Sequence, residues 1–270
     1  MNSPARQIPD QAQSSGQLLR LERGLIPIAL IDEAVATLGD MIGPGADLDS
    51  RVDQLCAQDR SRLGAIYDAF RETIIFQRII TAAELLAAAS TMLGATRLHS
   101  PFQHSVFRMD MAGEHWRGFG WHQDYAYNML ADGFITAWLP LTPAGPANGS
   151  IDVATDLSDR IYPVDIRFKR DQDGRRRGTR EAFIAERLQP SFEAGAEKLT
   201  LEPGDVALFN SCLVHRSGFN PGPRHRYSIQ VRFGDLLAPE VVGRGWANRR
   251  SDGFDTFKAL HPHLVEYEEV

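Results

Sequence analysis

Cysteine is nearly absent from this chain: two residues in 270, Cys56 and Cys212, far apart and outside any Cys-x-x-Cys spacing. A disulfide framework is thereby excluded, and the two read as packed thiols rather than metal ligands, fitting a reducing cytosol. No uninterrupted apolar run reaches bilayer-spanning length. Basic charge is not in excess: Lys and Arg number 29 against 35 Asp and Glu, a net charge of −6, which argues against a general nucleic-acid binder. Residues 1–17 lack the basic start and apolar core of a secretory leader; polar and rich in Ser, Gln and Pro, they read as a frayed tail. No solenoid-type repeat occurs. The hydrophobic share, 43%, is ordinary for a chain that buries a full core.

From residue 18 onward a single domain is expected, α+β with a mainly β core. Residues 29–94 carry helical periodicity. Ile31-Asp32-Glu33 opens an Ala/Leu-rich segment that stops at Gly43-Pro44-Gly45. Arg51 to Thr81 places Leu55, Leu63, Ile66, Phe70 and Ile74 at helical spacing, and Thr81 reads as the N-cap of an Ala-rich helix closing at Gly94. The pattern changes in residues 98–235. Gln103–Met111, Phe134–Leu141, Ile151–Ala154, Val206–Phe209, Leu213–Arg216 and Arg226–Phe233 read as short strands joined by Gly/Pro turns. That series indicates a β-sandwich or barrel with the helices on one outer face. Residues 158–190 are polar and highly charged, and read as a partly disordered insertion. Residues 236–270 form a C-terminal extension.

The chemistry concentrates in Trp121-His122-Gln123-Asp124. On an extended strand, residues two apart share a face, so His122 and Asp124 point the same way. Alone, such a pair is weak evidence, because a surface turn with an N-capping Asp explains it equally. His215 strengthens it: it follows a Pro203-Gly204-Asp205 turn and an apolar strand, on a segment able to neighbour the first. Two histidines and a carboxylate make the facial triad that holds a non-haem Fe(II) and leaves positions open for co-substrate and O₂. Arg226 opens a further strand, with Ser228 on its face and Tyr227, Ile229 and Val231 on the other. A guanidinium aimed into a barrel needs an anion, and a dicarboxylate would supply one with Ser228 assisting.

Trp121-His122-Gln123-Asp124, Trp138-Leu139-Pro140-Leu141-Thr142 leading to Asn148-Gly149, Pro203-Gly204-Asp205-Val206, His215-Arg216-Ser217 and Arg226-Tyr227-Ser228 together resemble the phytanoyl-CoA dioxygenase family. The resemblance spans roughly residues 103–233. It implies a double-stranded β-helix, or jelly roll, and an Fe(II)- and 2-oxoglutarate-dependent dioxygenase. In such an enzyme O₂ is consumed, succinate and CO₂ are released, and a small organic molecule is hydroxylated. By the same resemblance, His122, Asp124 and His215 ligate iron, Arg226 holds the distal carboxylate of 2-oxoglutarate, and Ser217, Trp138 and Met109 line that pocket.

One departure touches the substrate. The family usually follows Asn-Gly with a Pro-Gly-Ser-His turn; here Asn148-Gly149-Ser150 runs into Ile151-Asp152-Val153-Ala154. Substrate identity therefore does not transfer, and Asn148 is a candidate substrate contact. Tyr127 is another: strand parity points it away from the metal face, but a turn after Asp124 would let it swing in. Halogenating members replace the carboxylate ligand with a small residue, and Asp124 keeps it, which favours hydroxylation. Arg167, Lys169, Arg170, Arg175, Arg176, Arg177 and Arg180 form either a lid for an anionic substrate or a solvated loop; charge runs usually stay wet, which favours the loop. Two competing readings remain. One is a non-catalytic jelly-roll module binding a sugar-type ligand. The other is a cupin-like metal enzyme, which would leave Arg226 without a role.

Overall fold

Apolar residues at three- and four-residue spacing build the N-terminal helices. The computed structural model describes residues 18–95, 97–101, 104–114, 118–127, 133–154, 159–171, 173–243, 245 and 254–270. The expected tail lies outside them. Strand β1 (Leu19–Glu22) precedes helix α1 (Ile28–Ile42), which buries Ile31, Ala34, Leu38 and Ile42. The single run expected over Arg51–Thr81 is three helices: α2 (Leu48–Asp59), α3 (Arg62–Arg71) and α4 (Ile74–Ile80). The break before α4 is made by Thr73, whose hydroxyl accepts from the Phe76 N–H at 3.3 Å. Thr81 is not an N-cap as the sequence suggests. Its hydroxyl donates back to the Gln77 carbonyl at 2.6 Å, closing α4, and Ala82 precedes α5 (Ala83–Leu93). Gly94, at φ 62°, ends α5 in the left-handed conformation that glycine adopts without strain. The apolar stretch Ile74–Leu93 covers the sheet, with Phe76, Ile79, Leu85 and Ala89 in the core.

The strands that follow are β2 (Leu98–His99), β3 (Val106–Asp110), β4 (Ile135–Pro140), β5 (Ile151–Ala154), β6 (Val164–Arg170) and β7 (Arg176–Ile184). After α6 (Gln189–Ala194) come β8 (Ala196–Lys198), β9 (Val206–Asn210), β10 (His215–Ser217) and β11 (Arg226–Asp235). Helices α7 (Pro239–Gly243) and α8 (Asp255–Leu260) lead to β12 (Val265–Glu268). The large sheet runs β1-β9-β4-β11, and both β2 and β3 pair with the far side of β11. A second sheet is ordered β10-β5-β8. These antiparallel sheets form the jelly roll, with the helices packed on the outer face of the large one. Strand β1, from before the helices, was not expected in the sheet; four residues, Leu-Arg-Leu-Glu, are too short to show a period.

Strand parity sorts the core from the site. Tyr227, Ile229, Val231 and Phe233 of β11 pack against the helices, as do Ile135, Ala137 and Leu139 of β4 and Phe107 and Met109 of β3. Their neighbours, Arg226, Ser228, Gln230 and Arg232, Thr136 and Trp138, and Arg108 and Asp110, therefore face inward.

The charged segment is not a disordered insertion. β6 and β7 pair as a hairpin, and β12 adds to β6 in parallel. Its cations are ion-paired: Arg170 and Arg176 reach Glu269 at 2.9 and 2.7 Å, Arg167 reaches Asp165 and Glu186 at 3.0 Å each, and Lys169 reaches Glu181 at 3.2 Å. A polar composition hid two strands of a three-stranded sheet, β12-β6-β7, whose exposed cations are held in charge pairs.

Candidate active site

His122 and His215 are paired across the mouth of the barrel by their own backbones. The His122 N–H donates to the His215 carbonyl at 2.9 Å, and the His215 N–H donates back at 3.0 Å. That reciprocal pair puts both side chains on one side, with ring centroids 4.1 Å apart. Gln123, pointing the opposite way, fixes the segment: its amide donates to the Arg160 carbonyl and its oxygen accepts from the Tyr162 N–H, both at 2.9 Å. The chain then turns through a 3-10 segment, Asp124–Ala126, which leaves the Asp124 carboxylate beside the two rings.

The ligand atoms of His122, Asp124 and His215 lie within 4.8 Å of one another, and all three residues are buried. Their protonation suits a metal. His122 Nδ1 is 2.9 Å from the Gly120 carbonyl and His215 Nδ1 is 3.0 Å from the Leu213 carbonyl. A carbonyl only accepts, so each Nδ1 carries a proton and Nε2 is the nitrogen left to face a metal. Burial and the neighbouring His122 pull the His215 imidazole down to about 3, so it is neutral near pH 7. Asp124 is buried, which opposes ionisation, but the Arg232 charge and the His122 contact outweigh this and hold its carboxyl well below the usual carboxylate range. Two imidazoles and one carboxylate are the donor set of a 2-His-1-carboxylate iron site.

The triad opens into a cavity of about 380 Å³. Arg226 lies in its wall, 2% exposed. Its Nη2 donates to Asp110 Oδ2 at 2.8 Å and its Nη1 to the Ser150 carbonyl at 3.1 Å. Its Nε and the Ser228 hydroxyl are buried without a hydrogen-bond partner among the described residues. The orphaned Arg226 donor, in the wall of a polar cavity, fits a carboxylate oxygen that would satisfy it; Ser228, on the same strand face, is not among the residues lining that cavity.

The remaining sequence candidates divide. Trp138 and Ser217 line the cavity, and so does Tyr127. The turn after Asp124 does release Tyr127 from strand parity. Its ring meets His122 edge-on at 5.9 Å, while its hydroxyl is tied to the Ala182 backbone at 2.7 and 2.9 Å. Met109 does not line the cavity. It sits opposite Tyr227 on the odd face of β3, packed into the helical layer. Asn148 does not line this cavity either: its amide closes a turn, accepting from the Gly145 N–H at 3.0 Å and donating to the Pro143 carbonyl. The residue that matters in Asn148-Gly149 is the glycine. At φ +75°, a Cβ on Gly149 would lie 2.8 Å from Arg226 Nη1 and 2.7 Å from the Phe219 carbonyl.

Sequence reasoning missed Asp110, Arg108, Thr136, Arg232 and Phe119, all within this site. Arg232, 7% exposed, donates to the His104 carbonyl and Gln230 Oε1 at 3.0 Å each, and to Asp124 Oδ2 at 3.4 Å. Its signal was present: it lies three two-residue steps from Arg226 on one strand. Phe119 stacks edge-on to His122 at 4.3 Å and has no motif to announce it.

A family model for phytanoyl-CoA dioxygenase matches residues 49–228. The chain belongs to that family. Membership brings Fe(II), 2-oxoglutarate and O₂ as cofactor and co-substrates, and the triad fits the metal. Several solved structures share the fold at low identity. The apo form of the non-haem monooxygenase ThoJ has a TM-score of 0.57 at 17% identity, over 84% of this chain and 78% of that one. The epimerase SnoN, solved with Fe3+, α-ketoglutarate and nogalamycin RO, gives 0.55 at 16%, over 84% and 82%. EctD from S. alaskensis, solved with 2-oxoglutarate and 5-hydroxyectoine, gives 0.52 at 18%, over 93% and 80%. No curated protein matches the chain.

Proposed function

We propose that this phytanoyl-CoA dioxygenase family member hydroxylates a small organic molecule bearing an anionic group. The observation that carries the reading is the convergence, in one cavity, of the His122–Asp124–His215 cluster and the partly unsatisfied Arg226 guanidinium. Iron with 2-oxoglutarate and O₂ supplies the oxidising power, releasing succinate and CO₂ as one oxygen atom enters a substrate C–H bond.

The chain's own residues position and enclose. His122, Asp124 and His215 would hold Fe(II). Arg226 would hold the distal carboxylate of 2-oxoglutarate, with Ser217 and Trp138 as walls. Phe119 and Tyr127 present ring edges to His122 and exclude water from that side of the cavity. Arg71, Arg108, Lys169 and Arg180 bring cations to the wall from α3, β3 and the β6–β7 hairpin; each is paired with a carboxylate, but cations still outnumber acids among the lining residues, which supports an anionic substrate. Asp124 supports hydroxylation over halogenation, because its carboxylate fills the position a halide would need.

Anaerobic addition of Fe(II) and 2-oxoglutarate should produce a visible charge-transfer band. Folded, metal-replete protein without that band would exclude the reading and leave the non-catalytic binding module and the cupin-like metal enzyme. Turnover under ¹⁸O₂ then tests the reaction type. Hydroxylation places one label atom in the product, whereas an epimerisation places none.

A further inference from the structure

Thr136 and Arg232 stand directly opposite each other on β4 and β11. Both reach the same atom. The Thr136 hydroxyl donates to Asp124 Oδ2, and Arg232 Nη2 donates to it at 3.4 Å. The other carboxylate oxygen, Oδ1, is turned to His122 Nε2 at 3.6 Å. Each arm is itself fixed. Thr136 is fully buried, and Arg232 is anchored by the His104 carbonyl and Gln230 Oε1 at 3.0 Å each. A carboxylate has two near-equivalent oxygens and can offer either one or both to a metal. Here one of them is already engaged by two donors from a rigid cross-strand pair.

We infer that Thr136 and Arg232 are positioning residues that occupy Asp124 Oδ2, so that Asp124 offers a single oxygen to the metal and three positions stay free. This deepens the iron and 2-oxoglutarate reading and rests on it. The consequence is specific. 2-oxoglutarate takes two positions, and O₂ needs a third. A second Asp124 oxygen released to the metal would compete with 2-oxoglutarate while strengthening the grip of the protein on the ion. Arg232 also places a positive charge beside the metal, and its loss removes a repulsion. A change at this pair should therefore separate the two affinities rather than lower both.

The test uses Co(II) as a spectroscopic probe of the full-length protein, titrated first alone and then with 2-oxoglutarate. T136V, nearly isosteric, removes one donor, and R232Q removes the charge. The expected result is a 2-oxoglutarate dissociation constant raised tenfold or more in either variant, with Co(II) affinity equal to wild type or tighter. T136S restores the hydroxyl and should restore wild-type 2-oxoglutarate binding. Unchanged 2-oxoglutarate affinity in T136V and R232Q would overturn the inference. Parallel loss of metal and 2-oxoglutarate would also overturn it, showing a merely structural role. If wild-type protein binds no Co(II), the iron reading itself falls.

Discussion

One carboxylate, that of Asp110, is shared between two arginines: Arg108 meets Oδ1 and Arg226 meets Oδ2, each at 2.8 Å. The three residues form an alternating row on the inner face of β3 and β11, and Asp110 fixes the guanidinium that would receive 2-oxoglutarate. Replacing Arg226 with Ala should raise the 2-oxoglutarate requirement by about 10- to 100-fold, the loss of charge-assisted hydrogen bonds worth about 1.5–3 kcal/mol. Asp110→Asn should act in the same direction and more weakly, since it leaves Arg226 present but unanchored. Titration of the charge-transfer band measures both. An unchanged half-saturation in Arg226→Ala would reassign the co-substrate pocket.

The same carboxylate sets an acid limit. Burial raises the Asp110 pKa, but Arg108 and Arg226 outweigh burial and hold it well below the usual carboxylate range. Between that depressed value and an unfolded value of about 3.9, the unfolded chain binds more protons, so stability rises with pH. The contribution is fully present above about pH 4 and is lost as pH falls through the folded value. Asp110→Asn cannot titrate. Its unfolding free energy should be lower near neutral pH and fall less steeply below about pH 4 than that of the wild type. Urea melts across that range measure the difference, and parallel acid limbs would remove Asp110 from the account.

Gly149→Ala should damage the same pocket from the other side. Alanine at φ +75° is strained, and its Cβ would press on Arg226 Nη1 and the backbone carbonyls of Gly218 and Phe219. Overpacking of this kind costs about 1–3 kcal/mol. The expected outcome is a lower Tm together with weaker 2-oxoglutarate binding, because the guanidinium must move. Thermal unfolding with and without co-substrate separates the two effects. A lower Tm with intact co-substrate affinity would show that Arg226 tolerates the methyl group.

Parity made much of this site legible and also marked where the reading stopped. Arg226, Ser228 and the odd apolar residues of β11 could be sorted from the sequence because a strand alternates. The same count, continued to Arg232, would have found the second buried arginine. Asp110 was hidden because its meaning depends on a cross-strand partner, and pairing of β3 with β11 is not written in either strand. Met109 was misplaced for the same reason: motif position suggested the pocket, while parity assigns it to the helices. Asn148 carried the motif, but the constraint lies in Gly149, where the Arg226 side chain passes too close for any Cβ. The hairpin at 164–184 was unreadable because its cations pair with Glu268 and Glu269, some 90 to 100 residues away in the chain.

Glu269 makes the last of these relationships testable. Its carboxylate accepts from the Phe168 N–H at 2.9 Å and pairs with Arg170 and Arg176 at 2.9 and 2.7 Å. It thus pins β6 and β7 at the end that carries Lys169 and Arg180 into the cavity wall. A backbone N–H constrains position more tightly than a pair of long, partly exposed arginines, whose ion pairs are screened by salt. Glu269→Gln keeps an acceptor for Phe168 and removes the charge, whereas Glu269→Ala removes both. Hydrogen exchange over residues 164–184 should accelerate modestly in Glu269→Gln and strongly in Glu269→Ala. The charge-transfer band should form normally in both, because the triad and Arg226 lie outside the hairpin. If the band disappeared along with hairpin protection, the β6–β7 hairpin would be part of the metal site rather than a wall placed against it.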